Sequence, residues 1–348
     1  MRLLAKPLAG AVALALAVLL LHPSAVLAAR AYVSNEDGHS VSVLDTESGK
    51  LIATLPVGKR PRGLKLSPDG SRLYVAVSGL PKCPPSVPDA ECAKLKHDLT
   101  ADGIAVVDTR RLKLIGLLRA GSDPEQFDLG YAGRRLYVAN EDTASATVVD
   151  IPTEKVVTRI PVGHAPEGVR TSPNGEWIGV TSETDNSISL IDSHLLQVAH
   201  VVPVGFRPRD LTYTPDGRIA YATCELGFSV YRFAVPSGQP VEKLIQLRPQ
   251  DRPMGILLDA PRQRLYVSTG RGGTIAVIDL HAGAGGARLV KELPVGARPW
   301  GIAFTPNHRL LFTANGPSND VSIIDTLTLT VVKKVQVGRS PWGVVIGR

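Results

Sequence analysis

Short apolar runs recur along the chain, each closed by Gly, Pro, Asp or Asn. Val41-Ser42-Val43-Leu44-Asp45 alternates with period two, as a half-buried strand does, and Leu73-Tyr74-Val75 is a continuous β-prone run. Ser67-Pro68-Asp69-Gly70, Ser172-Pro173-Asn174-Gly175 and Thr214-Pro215-Asp216-Gly217 lie between such runs. Proline presets φ at the first corner of a turn, and Gly or Asn accepts a positive φ after it. The pattern predicts many short strands joined by tight turns.

The strands repeat as a set. Pro-Val-Gly-x-x-Pro-x-Gly stands at 56–63 and returns at 161–168, 203–210 and 294–301, with weaker copies at 119–126, 247–255 and 336–343. Its second proline falls at 61, 124, 166, 208, 253, 299 and 341, giving intervals of 63, 42, 42, 45, 46 and 42. The long interval holds a Pro-rich insert at 80–100. Four strands in a unit of about forty-two residues make a propeller blade. The chain starts and ends in mid-unit, so strands from both termini are expected to complete one blade. This predicts an all-β, seven-bladed propeller as a single domain over 30–348, with no open sheet edge.

Residues 1–29 read differently. Arg2 and Lys6 precede an apolar run at 8–21, then Val26-Leu27-Ala28 offers small residues for cleavage. This is the pattern of a secretory signal peptide, and it predicts an exported, periplasmic protein. Loss of Arg2 and Lys6 leaves 37 basic against 32 acidic residues, a scattered excess that does not call for nucleic acid. In an oxidising compartment Cys83 and Cys92, both in the insert, could close a local disulfide. Cys83, Cys92 and His97 lack zinc spacing. Cys224 is expected as a small buried residue.

Tyr32-Val33-Ser34-Asn35, Tyr137-Val138-Ala139-Asn140 and Phe312-Thr313-Ala314-Asn315 resemble the Tyr-Val-Thr-Asn tetrapeptide of YVTN β-propeller repeats. With the leader and seven units, the chain most resembles the propeller proteins associated with pyrroloquinoline quinone (PQQ)-dependent alcohol catabolism. That resemblance implies a periplasmic binding or scaffold protein whose partners are a quinoprotein dehydrogenase, a cytochrome or a transporter component. It does not imply that the chain itself holds a cofactor, because the tryptophan-docking pattern of the dehydrogenase blades is missing.

The repeat supplies candidate site residues. The x of Pro-x-Gly should ring one mouth of the channel, as Arg62, Glu125, Glu167, Arg209, Met254, Trp300 and Trp342. One side of the ring is aromatic and one is charged, which suits a flat or amphipathic ligand. Internal salt bridges and a space-filling tryptophan pair are the competing reading. Neighbouring loops add Glu36, Asp37, Glu141, Asp142, Glu183 and Asp185, and the arginines 60, 207, 252, 271, 298 and 339. The recurring Asp45, Asp108, Asp150, Asp192, Asp279 and Asp325 are expected to hold turns.

Nucleophile elbow, zincin, phosphate-loop and dinucleotide motifs are all missing. The sequence reading is therefore a non-catalytic binding protein without a metal or cofactor. Its alternatives are a quinone- or haem-handling propeller and a metal-dependent lactonase or lyase, for which Glu125, Glu167 and His164 are the local candidates.

Overall fold

A computed structural model describes residues 29–82, 89–92, 94–130, 132–281 and 286–347. The strands form seven sheets of four, each antiparallel. The ring closes as expected, because Pro341–Gly347 pairs with Arg30–Asn35 in the register Tyr32↔Val345. That blade is completed by Ser40–Asp45 and Leu51–Pro56. Of the leader expected at 1–29, residues 1–28 lie outside the described residues, as do Cys83 and the side chain of Cys92.

The first strand of each blade lines the channel, the middle strands are buried, and the fourth faces solvent. In one blade these are Pro166–Thr171, then Trp177–Ser182 and Ser187–Asp192, then Gln197–Pro203. The core lies between blades. Tyr137, Val148 and Ile160 of one blade pack on Val169, Ile178 and Val180 of the next. Each such side chain contributes about 1.5–3 kcal/mol by leaving water.

The glycine of Pro-x-Gly has a packing reason. A Cβ on Gly168 would meet the Arg209 carbonyl oxygen at 2.4 Å, on Gly255 that of Trp300 at 2.7 Å, and on Gly301 that of Trp342 at 2.9 Å. Each glycine thus lets its strand approach the x residue of the next blade. Hydroxyls on second strands also bond carbonyls of x residues in the next blade. Ser34 Oγ donates to Arg62 O (2.6 Å), Ser268 Oγ to Trp300 O (2.6 Å) and Thr223 Oγ1 to Met254 O (2.5 Å). The ring of side chains at the mouth is therefore held from blade to blade.

Two further repeat positions are structural. Asn35, Asn140 and Asn315 of the tetrapeptides are fully buried, and each bonds polar groups beside it, as Asn315 Nδ2 does to Asp320 Oδ1 (2.6 Å) and Ser322 Oγ (3.0 Å). The recurring aspartates hold turns as expected. Asp108 accepts from the backbone N–H of Arg110 and Arg111, and Asp325 from those of Leu327 and Thr328. These bonds pull both carboxyls below the usual range, together with the nearby arginines.

Candidate functional site

The loop into each first strand bends sharply before its proline. Arg60, Asp123, Ala165, Arg207, Arg252, Arg298 and Ser340 all have φ between 42 and 57°. A left-handed non-glycine residue costs on the order of 1 kcal/mol. Here it recurs in every blade, and four of the seven are arginines. The bend sets one side chain on the rim and the one two residues on, the x residue, inside the mouth.

The seven expected ring residues do come together there, but more buried than an open ligand ring. Arg62, Glu125, Glu167, Arg209 and Met254 are each 5% exposed or less. The charged arc is paired internally. Arg62 contacts Asp123, Glu125 and, at 3.9 Å, Glu141. Arg209 bonds Glu225 (2.7 Å) and Glu167 (3.1 Å) and also contacts Glu183. The aromatic arc stacks on itself. Trp300 and Trp342 lie 4.7 Å apart at 27°, and the guanidinium of Arg209 stands 5.0 Å over Trp300.

Proton affinities across this network diverge. Burial pushes Glu167 up to about 7 against the pull of Arg209, and the charge of Glu141 adds to the rise. Its Oε1 is buried without a hydrogen-bond partner. Glu225 is also desolvated, but Arg209, Arg207 and Arg252 together hold it below the ordinary glutamate range. One arginine thus bridges a carboxylate that stays ionised and a carboxyl that titrates near neutrality.

Asp123, Glu125 and Glu141 are the group of three among the described residues that could converge on a metal. Arg62 already contacts all three, so a divalent ion would have to displace its guanidinium. The arrangement fits a buried ion-pair cluster rather than a metal centre. His164 is elsewhere, exposed and paired with Asp185 at 3.1 Å.

The open part of the mouth lies beside Arg209. Arg207, Arg209, Arg252, Arg271, Arg298 and Glu225 line a cavity of about 280 Å³, with Met254 and Gly270 at its wall. Five guanidinium groups face one carboxylate. Arg298 lies 5.6 Å over Trp300, and its pKa is lowered by burial and by the charges of Arg209 and Arg271. Among the described residues no carboxylate lies within ion-pair distance of Arg271 or Arg298. The cavity carries excess positive charge and spare donors, which suits a carboxylate, a phosphate or a developing oxyanion.

Sequence reasoning found the ring and the rim arginines but missed Asp123 and Glu225. Glu225 follows the second strand of its blade as Glu36, Glu141 and Glu183 follow theirs. The same alignment that gave the ring could have found it.

The family model "Lactonase, 7-bladed beta-propeller" matches residues 192–339. That stretch contains every residue lining the arginine cavity. No curated protein matches significantly. Among solved structures, the periplasmic gluconolactonase of Pseudomonas aeruginosa is similar at 20% identity, with a TM-score of 0.71 over 92% of this chain and 99% of that one. A Bacteroides uniformis protein assigned as a 6-phosphogluconolactonase gives 18%, 0.72, 92% and 99%. The hydrazine synthase of Kuenenia stuttgartiensis gives 22%, 0.72, 85% and 92%. At these identities the likeness is one of fold.

These findings correct the functional expectation. The non-catalytic accessory role in PQQ-dependent alcohol catabolism gives way to the lactonase alternative, because the matching family model is a lactonase and covers the cavity itself. The scaffold reading went wrong for a physical reason. It rested on tetrapeptides whose Asn is fully buried and bonded to polar groups beside it, so they report blade construction and not chemistry.

Proposed function

We propose that this protein is a lactonase-type propeller, which hydrolyses the ring ester of an anionic sugar-acid lactone in the arginine cavity. The observation that carries the proposal is the convergence of Arg207, Arg252, Arg271 and Arg298 on Glu225 and Arg209 within the stretch that matches the lactonase model. In the reaction water adds to the lactone carbonyl, the ring C–O bond breaks, and the leaving alkoxide takes a proton. Arg271 and Arg298 have the uncommitted donors to hold the oxyanion and the substrate's anionic group. Glu225 is the carboxylate facing the cavity; held ionised by its arginines, it is the candidate to orient the attacking water by accepting a hydrogen bond from it, the proton passing to solvent. Glu167 acts through Arg209 as a positioning residue, since its ionisation sets how firmly Arg209 is shared with Glu225. With the leader at 1–29, the proposal places the reaction outside the cytoplasm. Detection of the mature chain cut after residue 28 or 29 in a periplasmic fraction supports this, and an uncut chain in the cytoplasm contradicts it.

The test is proton release from glucono-1,5-lactone and its 6-phosphate, with spontaneous hydrolysis subtracted. The expected result is saturable acceleration, stronger for the phosphorylated lactone and insensitive to chelator. Failure to accelerate either lactone would overturn the proposal.

A further inference from the structure

The ring of x residues divides the channel. Above it lies the arginine cavity. Below it a second cavity of about 380 Å³ continues along the first strands, from Trp300 and Trp342 to Phe304, His308 and Ile346. Phe304 and Ile346 are four residues past the ring positions, or about 13 Å along an extended strand. This volume is within the range of small-ligand sites.

Its two walls differ in chemistry. On one side Leu257, Ala303, Phe304, Val345 and Ile346, all partly exposed, present an apolar surface. On the other side Lys65 and Arg170 line the cavity, with Asp210 beside them. Lys65 Nζ lies 3.1 Å from Asp128, and Arg170 Nη2 donates to Asp210 at 2.8 Å. Those two carboxylates are also engaged by backbone. Asp128 accepts from the N–H groups of Leu129 (2.9 Å) and Thr171 (3.0 Å), and Asp210 from those of Leu211 (2.9 Å) and Ile256 (3.4 Å). Lys65 has three N–H donors and one carboxylate partner. Burial lowers its pKa and the charge of Arg170 lowers it further, so the two cations feel each other across the wall.

We propose that this lower cavity is a second binding site, for an amphipathic organic acid entering from the face opposite the arginine mouth. The acid group would lie on Lys65 and Arg170 and the apolar body against Ala303, Phe304 and Val345. Its far end would reach the tryptophan pair and also Arg209 and Met254, which line the upper cavity too, so an occupant bears on the floor of the mouth. The inference goes beyond the lactonase reading and does not depend on it.

The test uses 4-phenylbutyrate and its uncharged analogue 4-phenylbutanol, followed by calorimetry and tryptophan fluorescence. The expected result is one saturable site that prefers the acid at least tenfold and quenches or shifts the tryptophan emission. Lys65→Met and Arg170→Met should each weaken the acid at least tenfold. Ala303→Phe, which fills the cavity without touching either cation, should abolish binding. This variant carries the test if the cation variants fail to fold. Arg271→Gln, in the upper cavity, should leave the affinity within twofold. Lack of saturable binding, equal affinity for acid and alcohol, or binding that survives Ala303→Phe but is lost in Arg271→Gln would each overturn the proposal. None of these readouts involves lactone hydrolysis, so the two proposals fail separately.

Discussion

Arg209→Met removes the charge at the centre of the mouth and keeps most of the side-chain volume. The guanidinium is 6% exposed and pairs with Glu167, Glu183 and Glu225, themselves 5–8% exposed. Breaking a buried pair by removing one partner costs about 3–5 kcal/mol, because the remaining charge stays desolvated. Glu167 is stranded here, whereas Glu183 and Glu225 keep Arg207 at 2.7 and 3.5 Å, and protonation of Glu167 caps its loss. The expected destabilisation at pH 8 is therefore about 3–5 kcal/mol, or a fall in Tm of roughly 4–7 °C for a domain of this size. The pH dependence has a definite sign. In the variant Glu167, whose folded pKa already lies above its unfolded one, loses the opposing pull of Arg209. The folded state then binds more protons, and stability falls as pH rises through that window. The gap to the parent protein should be small near pH 5 and full at pH 8. Thermal melts across that range measure it, with Arg209→Lys as a control that should not rescue, since one ammonium cannot serve three carboxylates in fork geometry. A gap below 1 kcal/mol at pH 8, or one that widens toward pH 5, would refute the reasoning.

Other consequences are equally concrete. Glu167 has its pKa raised from 4.5 to about 7, so its ionisation opposes folding as pH rises from about 5 to 7; Glu167→Gln should flatten that decline in melting temperature, and an unchanged pH profile would show that Glu167 is ionised throughout. Trp342 is 8% exposed and stacked on Trp300, so Trp342→Ala should cost about 3–5 kcal/mol while Trp342→Phe retains most of the stability; equal melts for the two would deny the stack a structural role. Gly301→Ala places a Cβ 2.7 Å from Gly343 Cα and should destabilise by about 1–3 kcal/mol, whereas Gly175→Ala, with open space around it but φ of 75°, should lose less than that, as chemical denaturation can show.

Much of the fold was legible because the repeat is written in backbone requirements. Pro-x-Gly recurs where first strands crowd the channel, Asp recurs where a turn needs an acceptor, and the half-units at the ends announce the closing blade. The placement of the ring side chains was legible for the same reason, since the x residues fall at the mouth by register alone. Its chemistry was not. Whether Arg62 or Arg209 faces solvent or three acids depends on contacts between blades, which no single unit encodes. Glu225 looked like any loop acid until Arg207, Arg209 and Arg252 were seen to converge on it. The tetrapeptide that suggested a subfamily is a buried bonding device, so it carried fold information and misdirected the functional reading.

The most direct measurement is the rate of 6-phosphogluconolactone hydrolysis by the parent protein and by Arg271→Gln and Arg298→Gln. All three must first be shown to melt alike. The account predicts saturable catalysis by the parent and a loss of at least tenfold in kcat/KM for each variant, with a smaller loss on the unphosphorylated lactone. Equal rates in all three proteins, or rates no faster than spontaneous hydrolysis, would contradict the claim that the arginine cavity is a lactonase site.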